Sequence, residues 1–422
     1  MTASTTTSSP ATTARATASL ADIVSRNLRQ YGIMIALVAI IIVFAVSTQG
    51  RLIVPNNVWT LIQQNAYVVI LALGMLLVII AGHIDLSVGS VVAFVGGIVG
   101  YMMYAWDVPW GLAVLAGIAT GVLIGAWHGF WVAYVKVPAF VVTLAGMLLF
   151  RGLAQVIAAR TMAGFPAGFN AIAGGSLPNI LGFLANPFAG VLPANSPFGQ
   201  SFDLVTLLIG LIGIAGLVVA TLRSRRSQIA HGLPVEAQRT MIIRLVVISL
   251  VILAFTGILA MNLIGGTPIV LMIVAALILV TAFITTRTVF GRHVYAVGGN
   301  RAGALLSGVN TARVDFMIFV YMGFLTGIAA IVTTSRAGAA VAMAGQSYEL
   351  DAIASCFIGG AAVSGGVGRV TGVVIGALIM GVLNMGLSIL NVNANWTMAI
   401  KGLVLLAAVA FDLVSKRRGA GA

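Results

Sequence analysis

The chain has 422 residues, 60% of them hydrophobic and 7% charged, with mean hydropathy +1.11 and a formal net charge of +13. No water-soluble globule hides that much apolar surface, so a soluble enzyme or binding module is excluded. In a membrane protein the basic excess is read by its position along the chain, not as a footprint for nucleic acid.

The first nineteen residues are mostly Thr, Ser and Ala with a single Arg, too polar and too simple to pack, and residues 1–30 read as a disordered cytoplasmic tail. The apolar run that follows has no small-residue cleavage site and reads as a retained first span rather than a signal peptide. A bilayer core of about 30 Å needs roughly 20 helical residues. On that rule residues 31–415 hold twelve candidate passes, near 32–48, 57–80, 86–105, 110–134, 138–158, 204–222, 241–262, 268–286, 315–334, 349–366, 370–390 and 396–414. The expected fold class is therefore all-α, a polytopic transmembrane helix bundle of about 10–12 spans. With the N-terminus inside, seventeen of the 22 Lys and Arg fall on the cytoplasmic side, three fall outside (Arg51, Arg160 and Arg336), and Arg151 and Lys401 lie within spans. That asymmetry sets both termini, including the tail at 416–422, in the cytoplasm.

Two passes are irregular. GHIDLSVGSVVAFVGG and YELDAIASCFIGGAAVSGGVG bring acids and many glycines to membrane depth, which predicts broken or re-entrant helices. The loop at 161–202 carries five prolines and is expected outside, as a lid, a docking surface or a passive connection. The basic loop at 223–240 is expected inside, beside anionic lipid. The lone Cys356 excludes an intramolecular disulfide and stands without the partners of a metal site.

Between Arg287 and Arg313 lies a polar, glycine-rich island, TVFGRHVYAVGGNRAGALLSGVNTAR, flanked by apolar runs. Asn300 suits a helix N-cap, Arg301 to Ser307 make about two turns, and Gly308 suits the left-handed residue that closes a helix. A helix that short is not stable alone in water, so it needs a surface to lie on.

The chain contains no site for the chemistry of an energy source. None of Lys136, Lys401 and Lys416 stands in the Gly-Lys-Ser/Thr context of a phosphate loop, and neither a zinc-protease motif nor a nucleophile elbow is present. No catalytic residue, metal or cofactor is expected on this chain. Polar residues within spans suit a translocation path: Gln63, Gln64 and Asn65 in the second pass, Asp85 in the first irregular segment, and Asn384 and Ser388 four apart on one helical face. Each also has a plain structural reading, as a bond between helices. Arg151 is the deepest charge on this reading, with snorkelling or bonding to neighbouring carbonyls as its structural alternative.

Four segments carry a resemblance: GHIDLSVGS at 82–90, VPAFVVTLAGMLLFRGLA at 137–154, YAVGGNRAGALLSGVN at 295–310, and IGGAAVSGGVGRVTGVVIGALIMGVLNMGL at 358–387. Together they resemble the permease subunits of bacterial ATP-binding-cassette (ABC) importers for monosaccharides, such as ribose, xylose, arabinose and galactose. The long segment after Arg160 is most similar to the xylose or multiple-monosaccharide branch. The resemblance implies a homodimer of permeases in the bacterial cell membrane, a cytoplasmic ABC ATPase that is often a fused double domain and carries the ATP-Mg, and an extracytoplasmic sugar-binding protein. It implies ATPase coupling through Gly298, Gly299, Asn300, Arg301, Ala304 and Gly308. Where related permeases commonly show Pro-Glu-Ala-Ala-Arg after the asparagine, this chain has Arg301, Ala302, Gly303, Ala304 and Leu305, so no glutamate anchors the helix. The runner-up reading is a permease for branched-chain amino acids or nucleosides, followed by an ion-coupled secondary transporter.

Overall fold

The computed structural model describes residues 28–181, 202–233, 235–261 and 265–420, with side chains between 32 and 410. Most of the expected tail at 1–30 and residues 182–201 of the 161–202 loop lie outside the described residues. The described chain is an all-α bundle with one two-stranded ribbon. Among the described residues nine helices are long and apolar enough to cross a bilayer, and two further helices hold shorter apolar stretches at 32–47 and 394–410.

In chain order the first half runs α1 (Leu28–Ser47), α2 (Pro55–Ile80), α3 (Val88–Ala105), α4 (Trp110–Phe130), α5 (Ala139–Ile157), β1 (Met162–Ala163) and α6 (Ala167–Gly174). The second runs α7 (Leu204–Ala230), α8 (Gln238–Ala260), α9 (Ile269–Arg287), α10 (Val289–Gly299), α11 (Arg301–Leu306), α12 (Thr311–Ala337), β2 (Ala339–Ala340), α13 (Tyr348–Ile358), α14 (Val370–Ile389) and α15 (Ala394–Ala420).

Helix α2 is the axis of the bundle. It opens with Pro55 at its first position, where a missing N–H costs nothing, and from Ala66 to Ile80 every residue is buried. A helix apolar on all sides belongs in a core, and here α12, α13 and α14 surround it. α12 packs most intimately on α4 through glycines. Gly117, Gly121, Gly125 and Gly129 recur every fourth residue on α4, and a Cβ at Gly121 or Gly125 would overlap the carbonyl oxygen of Gly323 or Phe319. Small residues let the two backbones touch, which is how helices associate where the hydrophobic effect no longer drives them together. α7 and α8 form a hairpin that packs chiefly on itself and is largely exposed, as an added lipid-facing pair would be.

Both irregular passes are broken. Residues 83–87 are non-helical between α2 and α3, and the stretch expected as a pass at 349–366 is the 11-residue α13 followed by non-helical chain to Arg369. Glycines make this fit: Gly360, Gly365 and Gly366 have positive φ, and the Gly366 N–H donates to the Ile80 carbonyl at 2.8 Å. The breaks meet one another. Gly89 and Gly345 lie backbone to backbone, and Arg151 donates to the carbonyls of Ala342 (3.1 Å) and Ala344 (2.8 Å), which fixes the 338–347 loop. Bonding to carbonyls is therefore where the structure takes Arg151. At about 1.5 Å per residue the 27 residues of α12 span about 40 Å, so α11 and the β1–β2 ribbon lie at opposite ends of the molecule.

Candidate functional site

Two polar assemblies stand out against the apolar bundle, one inside it and one at its α11 end. The inner one is centred on Asp351, fully buried in α13. Lys401 of α15 reaches it with Nζ 2.9 Å from Oδ1 and 3.0 Å from Oδ2. The Tyr67 hydroxyl donates to Oδ2 at 2.6 Å, and the Asn384 amide approaches the same oxygen at 3.5 Å while donating to Asn65 Oδ1 at 3.1 Å. Four helices thus converge on one carboxylate. A buried charge is tolerated only when it is paired and hydrogen-bonded, and here the Lys401 ammonium supplies the countercharge.

Beside this assembly, between α2, the end of α12 and the segment after β2, lies a cavity of about 220 Å³ lined by Gln63, Gln64, Tyr67, Thr334, Arg336 and Tyr348 among others. The Tyr67 and Tyr348 rings stack with centroids 3.5 Å apart, so the hydrogen bond to Asp351 also orients the cavity wall. The Gln63 side chain is 5% exposed and its Nε2 has no partner.

The structure brings part of the expected path set together. Gln63 and Gln64 line the cavity, while Asn65 and Asn384 belong to the Asp351 assembly. Asp85 lies elsewhere: its Oδ1 accepts from the Ser87 N–H (2.8 Å) and hydroxyl (2.6 Å), forming the turn that launches α3. Ser388 is exposed, one turn beyond Asn384. Sequence reasoning missed Asp351, Lys401, Tyr67 and Tyr348. The available signal was one acid and one lysine, each inside an apolar stretch, which is costly unless the two meet.

At the other assembly the island folds as expected. The Asn300 side chain accepts from the Gly303 N–H at 2.9 Å, α11 spans Arg301–Leu306, Ala304 is buried beneath it, and Gly308 closes it at φ +82°. Gly298 and Gly299 seat the island: a Cβ on Gly298 would overlap the Ile80 carbonyl, and Gly366 packs against Gly299. Arg301 turns inward. Its guanidinium pairs with Asp315, which is 1% exposed and also bonds His83 Nε2 at 3.2 Å. α11 presents Leu305 and Leu306 outward, the latter 89% exposed, while the Arg301 side chain stays partly exposed beside them. In the neighbouring α10, burial raises the Tyr295 phenol above its ordinary pKa with Arg369 opposing, and its hydroxyl donates to the Gly368 carbonyl at 2.7 Å. Among the described residues no cluster of three or more His, Cys, Asp or Glu could hold a metal ion.

The family described as "Branched-chain amino acid transport system / permease component" matches residues 57–409. The chain belongs to this permease family. It is a multi-pass, non-catalytic membrane permease. The xylose transport system permease protein of Haemophilus influenzae is 37% identical over 396 residues, 93% of this chain and 98% of the relative. That of Escherichia coli is 37% identical over 397 residues, covering 93% and 94%. The ribose import permease protein of Escherichia coli is 31% identical over 379 residues, covering 89% and 92%. No solved structure matches the chain significantly.

Proposed function

We propose that this chain is the membrane permease of an ATP-driven importer that carries a monosaccharide, xylose or several pentoses and hexoses, across the bacterial inner membrane. The observation that carries the reading is the end-to-end similarity to permeases named for xylose, at an identity above that to the ribose permease. The family's printed description mentions branched-chain amino acids, but relatives at 30% identity or more include permeases named for xylose, allose and ribose.

In this reading the chain supplies the pore and its partners supply energy and capture. Two copies of the permease meet a cytoplasmic ATPase, with one or two polypeptides carrying ATP-Mg, and an extracytoplasmic sugar-binding protein delivers the solute. Helix α11 is the ATPase contact, with Gly298, Gly299, Asn300, Arg301, Ala304 and Gly308 shaping and holding it. Its outward face offers Leu305 and Leu306, while Arg301 is held by Asp315. The contact therefore rests on apolar shape rather than on an ion pair to the ATPase. Both termini and α11 lie in the cytoplasm, as the distribution of Lys and Arg favours.

The test is reconstitution of the permease in vesicles with its ATPase and binding protein. Radiolabelled xylose should accumulate only when ATP is supplied, and neither leucine nor uridine should compete. Uptake that persists without the ATPase, or that stops when the proton and sodium gradients are collapsed, would sink the importer reading.

A further inference from the structure

Several buried side-chain polar atoms have no partner among the described residues, and two of them, Gln63 Nε2 and Thr333 Oγ1, belong to residues that line one cavity. Buried polar atoms are paired in folded proteins and leaving one unpaired is costly, so an orphan on a side chain that lines a cavity calls for a partner that arrives. Gln63 lines the cavity, and its Nε2 is unpartnered. Tyr67, one helical turn on, walls the same cavity, and Tyr348 stacks on it. Gln64 adds a second amide and Thr334 a hydroxyl.

The electrostatics narrow the ligand. Asp351 would make this region strongly anionic, but Lys401 neutralises it from behind the tyrosine wall, so the carboxylate is not free to hold a cation. On the cavity side the one charge is Arg336, which has no acidic partner among the described residues. A lining of amides, a hydroxyl, aromatic carbon and a lone guanidinium rejects a cation. It offers several donors and acceptors but no fixed countercharge, which suits a compact polyhydroxylated solute.

We infer that the cavity between α2, the end of α12 and the segment following β2 is a solute subsite within a single protomer, built for a neutral monosaccharide that hydrogen-bonds the Gln63 amide and Arg336 beside the Tyr67–Tyr348 pair. The inference rests on the sugar-permease reading and adds to it a discrete binding step inside the membrane domain. Tyr67 is a positioning residue for this subsite as well as a wall, because its hydroxyl is committed to Asp351.

The experiment is equilibrium dialysis of radiolabelled xylose against the purified full-length permease in lipid nanodiscs, without its partners. One saturable site per protomer is expected. Gln63→Leu should weaken it at least tenfold, and Arg336→Gln, at an exposed position where folding is not at stake, should weaken it severalfold. Ser388→Ala, away from the cavity, should leave it unchanged. Thermal unfolding of each variant guards against misfolding, and if Gln63→Leu does not fold, Arg336→Gln and Thr334→Val carry the decision. Absence of saturable binding of xylose, ribose and allose overturns the subsite, as does binding that Gln63→Leu and Arg336→Gln leave intact, or tighter binding of xylonate than of xylose. The two proposals fail separately. ATP-dependent sugar uptake that Gln63→Leu and Arg336→Gln leave unchanged refutes the subsite alone, whereas wild-type vesicles that import no sugar refute the permease reading.

Discussion

At Lys401 and Asp351 one residue's loss should be worse than the loss of both. Removing Lys401 strands a carboxylate that is fully buried and already holds Tyr67 and Asn384, so Lys401→Met is expected to cost about 3–5 kcal/mol, the range for breaking a buried pair. Asp351→Asn together with Lys401→Met should recover most of that loss. Thermal unfolding in nanodiscs measures it, and a single variant as stable as wild type would show that the pair is solvated. This centre was only partly legible in the sequence. Asn65, Asn384 and Gln63 announce themselves as amides in apolar spans. The Asp351–Lys401 contact joins residues fifty apart on different helices, and no local pattern encodes that distance. Tyr67 and Tyr348 read as ordinary core aromatics until the fold stacks them.

At the scale of elements, the α4–α12 seam makes the firmest claim. Gly121→Leu or Gly125→Leu forces a side chain into a neighbouring backbone and should destabilise by about 1–3 kcal/mol or more, because backbone cannot yield as a side chain can. Gly111→Leu, with nothing within 4 Å of the added Cβ, should be neutral, and equal melting temperatures for Gly121→Leu and Gly111→Leu would contradict the packing. The four-residue spacing of those glycines is visible in the sequence; the identity of the helix they serve is not. Helix α11 carries a different kind of prediction. The Gly308 environment is open, so Gly308→Trp acts through its left-handed backbone rather than through a clash. It should tilt the helix and abolish solute-stimulated ATPase activity while the protein still inserts. Leu306→Asp should weaken retention of the ATPase during co-purification at least tenfold, since that side chain is almost wholly exposed and does not support the fold. Normal stimulated activity in Gly308→Trp would refute the assignment of α11. The helix, its asparagine cap and its closing glycine were all readable beforehand because capping chemistry is local. The inward turn of Arg301 was not, since Asp315 lies in the next helix.

For the whole molecule, orientation is the open consequence of the charge pattern, and the single cysteine makes it measurable. Replacing the buried Cys356 with serine leaves a chain into which one cysteine can be placed at Leu306 and, separately, at Met343, both exposed and near opposite ends of α12. In intact cells a membrane-impermeant maleimide should label the cysteine replacing Met343 and spare the one replacing Leu306; the reverse pattern would invert the topology. Hydropathy located the long apolar helices because length and apolarity are properties of one segment, although it counted twelve passes where the described residues hold nine helices long and apolar enough to cross. It was less informative about the two broken passes, where glycines trade helix for backbone contact: Gly89 against Gly345, and Gly366 on Ile80.

The touching backbones of α4 and α12 have a mechanical implication. Side-chain interfaces slide by rotamer exchange, but two main chains in contact have no soft layer between them, so this pair should move as a single stiff strut. Whatever rocking accompanies a transport cycle then has to be taken up at the compliant periphery, in α1 and the loosely attached α7–α8 hairpin. Spin labels placed across the strut should hold their separation through every state of the cycle.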